Sequence, residues 1–369
     1  MTTALIGKRL KALRDERGLD QEAIASILGV KSRQIVSNIE AGDRKVKADE
    51  LLTLAEKLDV DLDYFTDPYR LVGEGSFSWR QSAGTIDDLK FYEKKAGNWL
   101  AMFRHEAPRF GMPALLRRPK LPLTRQSSFE DAMEAGERVG KELKLGDVPA
   151  ATLADAIEQE FGILVMMVDA IDGISGAACR LPELDAVLVN RHEIVGRRNF
   201  DLAHELFHIM TWEQMPPSYS EESVGFSRKR NRVEQLADNF AAALLMPKRV
   251  IELFGDWKLG EAELVARLNG VANQLQVTAQ ALKWRLVALG KLTHALISAI
   301  SDDLLRNNGC ERREEVVPPL FSHTFLRIVG QAIDSGYVSR RRAARQLEVV
   351  YHEFGDLFRR HDLPVPEGL

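Results

Sequence analysis

Two histidines four residues apart, in His204-Glu205-Leu206-Phe207-His208, constrain this chain more than any other feature. On an α-helix that spacing projects both imidazoles from one face, where they can grip one metal ion, with Glu205 beside its open position. The flanking residues predict a helix over 197–212. Phe200, Leu202, Ala203, Leu206, Phe207 and Met210 supply its packing surface, and Pro216-Pro217 bars its extension. A second helix is predicted over 232–246, ended by Pro247, and on it Glu234 and Asp238 share a face. His204, His208 and Glu234 would then form a His₂Glu set with one position left open, the pattern of hydrolytic zinc; manganese suits the same nitrogen and oxygen donors. Glu205 is the candidate general base, and Asp238 the candidate acceptor for the second ring N–H of a ligand histidine. Tyr219 and His192 are candidates, by position near the motif, for stabilising a developing oxyanion.

A chain of 369 residues is too long for one ordinary core and implies two or three units. With 45% hydrophobic and 28% charged residues and no apolar run near the roughly 20 residues a membrane helix needs, a membrane-spanning protein is excluded. The first residues enter a charged amphipathic pattern instead of a signal peptide, which places the chain in the cytoplasm. Cys179 and Cys310 form no C-x-x-C pair, so neither a disulfide framework nor a cysteine-ligated metal is expected. Buried, reduced thiols are the expectation, with a redox switch at Cys179 as the alternative. A net charge of −4 gives no bulk attraction for nucleic acid, so any such binding must come from a local surface.

Residues 1–67 are the candidate for that surface, with a four-helix protein-interaction module as the alternative. They read as short helices divided by turns: one with Leu5, Leu10 and Leu13, a second over 21–28 ended by Gly29, a third over 33–40 capped by Ser32 and closed by Gly42, and a fourth with Leu51, Leu54 and Leu58. In the third, Ile35, Val36 and Ile39 face inward while Arg33, Gln34, Ser37 and Asn38 face out. Leu10-Lys11-Ala12-Leu13-Arg14, Gln21-Glu22-Ala23-Ile24-Ala25 and Ser37-Asn38-Ile39-Glu40-Ala41-Gly42 resemble the helix-turn-helix of the XRE (lambda-repressor-like) family. The resemblance implies binding to double-stranded DNA, with Gln34, Ser37 and Asn38 at base edges and Gln21, Arg33, Arg44 and Lys45 on phosphates. Lys31 lengthens the turn into the third helix by a residue. Charge in this module is balanced, with 11 Lys and Arg against 13 Asp and Glu, so its DNA face must be polarised, and a homodimer is expected for tight operator binding.

The stretch 68–127 reads as a linker and helical connector, with Gly73, Gly75, Ser76 and Ser78 followed by helical periodicity over 86–103 and a Pro-containing segment over 108–128. Helices over 129–145 and 151–160 then lead to strands over 163–168 and 185–190. Residues 251–369 read as helical. Val265, Leu268, Val271, Leu275, Leu282 and Leu286 suit packing beside the preceding unit, and Ser339 caps a helix whose Arg340, Arg341, Arg342 and Arg345 make a basic surface. That surface is read as part of a docking or dimerising tail, with a second nucleic-acid contact as the alternative.

The run from Arg198 to His208, and the run from Glu234 through Asp238 to Pro247, resemble the ImmA/IrrE family of metallopeptidases, as do Ile174-Ser175-Gly176-Ala177 and Val187-Leu188-Val189-Asn190 ahead of them. The likeness covers 128–250. It implies a gluzincin-like metallopeptidase domain with a small sheet behind two metal-bearing helices, His204, His208 and Glu234 as ligands and Glu205 as base. Asp238 stands where the family often has Asn, and either side chain accepts an imidazole N–H. The expected fold is thus mainly α with a small α+β unit. The expected function is a DNA-binding regulator with a zinc-dependent endopeptidase domain that cleaves an XRE-type repressor or another regulatory protein. Two alternatives stand: a non-proteolytic transcription factor that uses the peptidase fold as a sensor, and an antitoxin-like component of a toxin system.

Overall fold

A computed structural model of the chain describes residues 3–81, 86–111, 116–222, 231–305 and 317–369; Cys310 lies outside them. The N-terminal module comprises α1 (Thr3–Glu16), α2 (Gln21–Leu28), α3 (Arg33–Ala41), α4 (Ala48–Lys57) and α5 (Leu62–Thr66). Its signals are local and chemical. Asp20 caps α2 by accepting from the Ala23 amide, Ser32 caps α3 by accepting from the Gln34 amide, and Gly29 and Gly42 end those helices in the left-handed conformation. Leu10, Leu13, Ile24, Val36, Ile39, Leu54 and Phe65 close a core of their own.

The connector does more than span a gap. It forms β1 (Ser76–Gln81), in which Phe77 and Trp79 alternate with polar residues, and then α6 (Ile86–Glu106). Two helices, α7 (Phe129–Glu142) and α8 (Pro149–Ala156), precede β2 (Leu164–Val168), β3 (Ile174–Arg180) and β4 (Asp185–Asn190). Next come α9 (Val195–Thr211), β5 (Ser220–Glu222) and α10 (Arg232–Leu245). The sheet order is β2-β4-β3-β1-β5, so the stretch read as linker contributes a strand between β3 and β5. Within it β1 runs antiparallel to β3, and β2 runs parallel to β4.

Alternation along the strands explains the layering. Val165, Ala178, Val187 and Val189 face a core shared with α7 to α10 and with α11 (Lys248–Glu252), α12 (Glu261–Gln274), α13 (Ala279–Ala288) and α14 (His294–Ala299). Leu164, Met166, Ala177, Cys179, Ala186 and Leu188 face the opposite core, made with α6, α15 (His323–Asp334), α16 (Arg340–Leu347) and α17 (Phe354–Arg360). Burial on both faces is why β2 and β4 read as nearly continuous apolar runs. Cys179 is fully buried and burial pushes its thiol well up, the inert state expected of it.

The basic helix α16 docks on its own chain. Arg342 pairs with Asp67 at 2.8 Å and lies over the Tyr69 ring at 4.6 Å, and Gln346 donates to the Tyr69 carbonyl. A second tie joins the modules: Glu74, just before β1, pairs with the buried Arg9 of α1 at 3.5 Å and with Arg104 of α6. None of the described helices is long and apolar enough to cross a membrane.

Candidate metal centre

Helix α9 is buried along most of its length, and His204, Glu205 and His208 lie on the side turned to α10 and β3. Three ligand atoms, one each from His204, His208 and Glu234, lie within 4.8 Å of one another. The two Nε2 atoms of His204 and His208 are 3.0 Å apart, and Glu234 Oε2 is 3.2 Å from His204 Nε2. Two nitrogens each held at about 2.0–2.1 Å by a tetrahedral ion would be about 3.3 Å apart, so the side chains are spaced as a bound ion requires. Glu234 Oε1 accepts no hydrogen bond although buried, and 3.6 Å separates it from His208 Nε2. The donor set therefore fits a divalent ion.

Electrostatics around the pair are those of an ion pair held out of water. Burial works against the charge on Glu234, yet the His204 bond and the nearby His208 ring hold its carboxyl well below the usual range. At His204, burial and Arg80 oppose protonation, but the Asp238 and Glu234 carboxylates outweigh them and raise the ring to about 9. Asp238 Oδ1 lies 3.0 Å from His204 Nδ1. Neither oxygen of the buried Glu205 has a hydrogen-bond partner, and burial raises its carboxyl against the pull of His208, His204 and Arg80. Gly176 in β3 permits close packing here: a Cβ on it would sit 2.8 Å from the Leu188 carbonyl oxygen and 3.9 Å from Glu205 Cγ.

The sequence reading missed Arg80. It pairs opposite Gly176 in the β1–β3 ladder, where the register shifts between Arg80 and Gln81. Its guanidinium lies 2.8 Å from Asp201 and 3.9 Å from the same Asp238 oxygen that faces His204. The signal for a strand was present in the alternation of Ser76-Phe77-Ser78-Trp79, but nothing local says that this strand enters the sheet beside α9. His192 and Tyr219 have other partners: His192 lies 2.6 Å from Asp169 at the surface, and the Tyr219 hydroxyl bonds Glu93. A cavity of 520 Å³ adjoins Asp238, lined among others by Phe129, Met133, Phe200 and Trp284.

In the N-terminal module Arg33, Gln34 and Lys45 are exposed and Ser37 and Asn38 half-buried. Gln34 donates to the Asn38 side chain at 3.0 Å. Gln21 is committed to Glu40 at 2.8 Å, and Arg44 makes a two-point pair with Glu50 at 2.6 and 3.1 Å, so neither is a free phosphate ligand in this state.

Comparison with known proteins agrees with both halves. A helix-turn-helix family model matches residues 10–65, and the IrrE N-terminal-like domain model matches residues 158–287. The HTH-type transcriptional regulator PrpR of Mycobacterium tuberculosis (strain ATCC 25618 / H37Rv) is 25% identical over 305 residues, covering 72% of this chain and 60% of that protein. No solved structure gives a significant match. The chain thus joins an XRE-type helix-turn-helix module to an ImmA/IrrE-like peptidase domain.

Proposed function

We infer that this chain is a cytoplasmic, DNA-binding regulator whose second module is a metal-dependent endopeptidase acting on a regulatory protein, an XRE-type repressor being the substrate class its resemblance implies. The observation that carries this reading is the convergence of His204, His208 and Glu234 beside Glu205, a buried carboxyl with no hydrogen-bond partner. Those three residues would hold zinc, or manganese in its place. When bound, such an ion supplies Lewis acidity toward a peptide carbonyl and a water. Glu205 takes the proton of the attacking water and returns it to the leaving amine, a role served by a carboxyl whose pKa is raised by burial. Asp238 accepts the Nδ1–H of His204 and so presents Nε2 to the ion. On the DNA side, Gln34, Ser37 and Asn38 of α3 read base edges and Arg33 and Lys45 neutralise phosphate, in a homodimer; Gln21 and Arg44 take part only by exchanging their present partners.

The test is co-expression with a cognate XRE-type protein, comparing the wild type with Glu205→Gln. A discrete fragment with the wild type alone, while both proteins retain metal, is the expected result. No fragment from either, with DNA binding intact, rejects the peptidase reading.

One observation favours a second reading, the non-proteolytic sensor. Strand β1 pairs along β3 from Ser76 to Gln81 and β5 pairs with β1, so the chain itself occupies the side of β3 on which an extended peptide would otherwise add. In that reading the 520 Å³ cavity beside Asp238 gives an apolar ligand its space.

A further inference from the structure

The structure assigns Arg80 the role of a positioning residue for the metal centre, supplied by the connector: its guanidinium braces the two helices that carry the ligands, through Asp201 on α9 and Asp238 on α10. The inference rests on the metal-binding reading given above. Asp201 is three residues before His204, and Asp238 is four residues after Glu234, so each carboxylate shares its helix face with a ligand. Arg80 lies 2.8 Å from Asp201 and 3.9 Å from Asp238. Asp238 in turn faces His204 Nδ1 at 3.0 Å. The chain of contacts runs from guanidinium to carboxylate to imidazole, whose Nε2 would hold the ion, and each member is oriented by the one behind it.

Three features separate this from an ordinary buried ion pair. First, Arg80 is buried and its Nη1 makes no well-directed hydrogen bond, so it acts through charge placed between two carboxylates. Second, the ladder places it opposite Gly176, where the absence of a side chain lets the Leu188 carbonyl and Glu205 pack close against β3. A register shift at Arg80 itself is the kind of irregularity that re-aims a side chain. Third, the residue comes from outside the matched 158–287 domain, on a strand that starts two residues after Glu74, the partner of Arg9 in the DNA-binding module. A lysine could not span both acids, because the planar fork presents donors in two directions and an ammonium is a point charge.

The experiment measures Co²⁺ affinity and the visible absorption of bound Co²⁺ in the 369-residue chain, for the wild type, Arg80→Gln, Arg80→Lys, Asp238→Ala and the Arg80→Gln/Asp238→Ala double variant. Loss of an outer carboxylate or its support weakens metal binding by about 10-fold or more. Arg80→Gln and Asp238→Ala should each weaken Co²⁺ by about 10-fold. The double variant should be no weaker than the worse single one, since both act on the same ring. Arg80→Lys should fall between wild type and Arg80→Gln, and its Co²⁺ spectrum should move toward that of the wild type. Because Arg80→Gln leaves the buried Asp201 with only Arg197 at 3.8 Å, Arg80→Gln/Asp201→Asn relieves the poorly compensated charge, and it should show the same metal loss. An apo-protein Tm that falls while Co²⁺ affinity stays within about two-fold, an affinity that rises, or additive losses near 100-fold in the double variant would overturn the assignment. His204→Ala is the control: if it binds Co²⁺ like the wild type, the metal reading itself fails, whatever Arg80 does.

Discussion

Gly136 sets how closely α7 can approach α10, the helix that carries Glu234 and Asp238. A Cβ at Gly136 would lie 2.4 Å from the Phe240 carbonyl oxygen and 3.0 Å from the Leu244 amide nitrogen. Both are backbone atoms, so rotating a side chain cannot relieve the overlap and one helix must move. One turn later a Cβ at Gly140 would meet only ordinary contacts, with Leu244 Cδ1 at 3.5 Å and Leu244 O at 3.6 Å. Replacing glycine by alanine inside a helix gains about 0.8–1.0 kcal/mol of propensity. Overpacking costs about 1–3 kcal/mol, and a clash with backbone belongs at the upper end. Gly136→Ala should therefore lose about 2 kcal/mol net, and Gly140→Ala should be neutral or gain up to about 1 kcal/mol. For a unit of this size that is a fall in Tm of roughly 4–8 °C for the first, measured by thermal unfolding of the two variants beside the wild type. Displacing α10 also moves Glu234, so Gly136→Ala should bind Co²⁺ more weakly while Gly140→Ala does not. Equal Tm shifts for the two, or a Gly136→Ala protein as stable as the wild type, would refute the close-packing argument.

Three further outcomes are expected. Zinc at about 100 times its dissociation constant should stabilise the chain by about 2.7 kcal/mol, seen as a Tm that falls on chelation; a Glu234→Ala protein should show no such response. Burial raises the Glu158 carboxyl, which accepts from the Val165 amide at 3.0 Å and from Thr324 at 2.7 Å. A raised folded-state pKa means that its contribution is complete below the unfolded value of 4.5 and is lost as pH rises through the folded value. Glu158→Gln should flatten the fall in stability over that window, and denaturant titrations from pH 4 to 8 that superimpose on the wild type would contradict this. On DNA, Arg33→Ala should weaken binding to all sequences and lower the salt slope by about one, whereas Asn38→Ala should cost about 1–3 kcal/mol at a single base position; both are read by fluorescence anisotropy across salt.

What the sequence determined was local. Capping by Ser32 and Ser339, the glycine stops after α2 and α3, the His204/His208 and Glu234/Asp238 spacings and the apolar runs of β2 and β4 each depend on residues a turn or two apart. Helix period and hydrogen-bond geometry encode such features directly. Tertiary structure decided the rest. That Glu234 faces the histidines from 30 residues away depends on how α7 and α9 seat α10, not on any spacing. Gln21 and Arg44 looked like phosphate ligands from their type, yet Glu40 and Glu50 hold them, partners that become visible only when the helices pack. Residues 76–81 were read as part of a linker because a single short strand is worth little until a neighbour satisfies its backbone. Only the sheet supplies that neighbour, and with it the arginine that stands between the buried Asp201 and the half-buried Asp238.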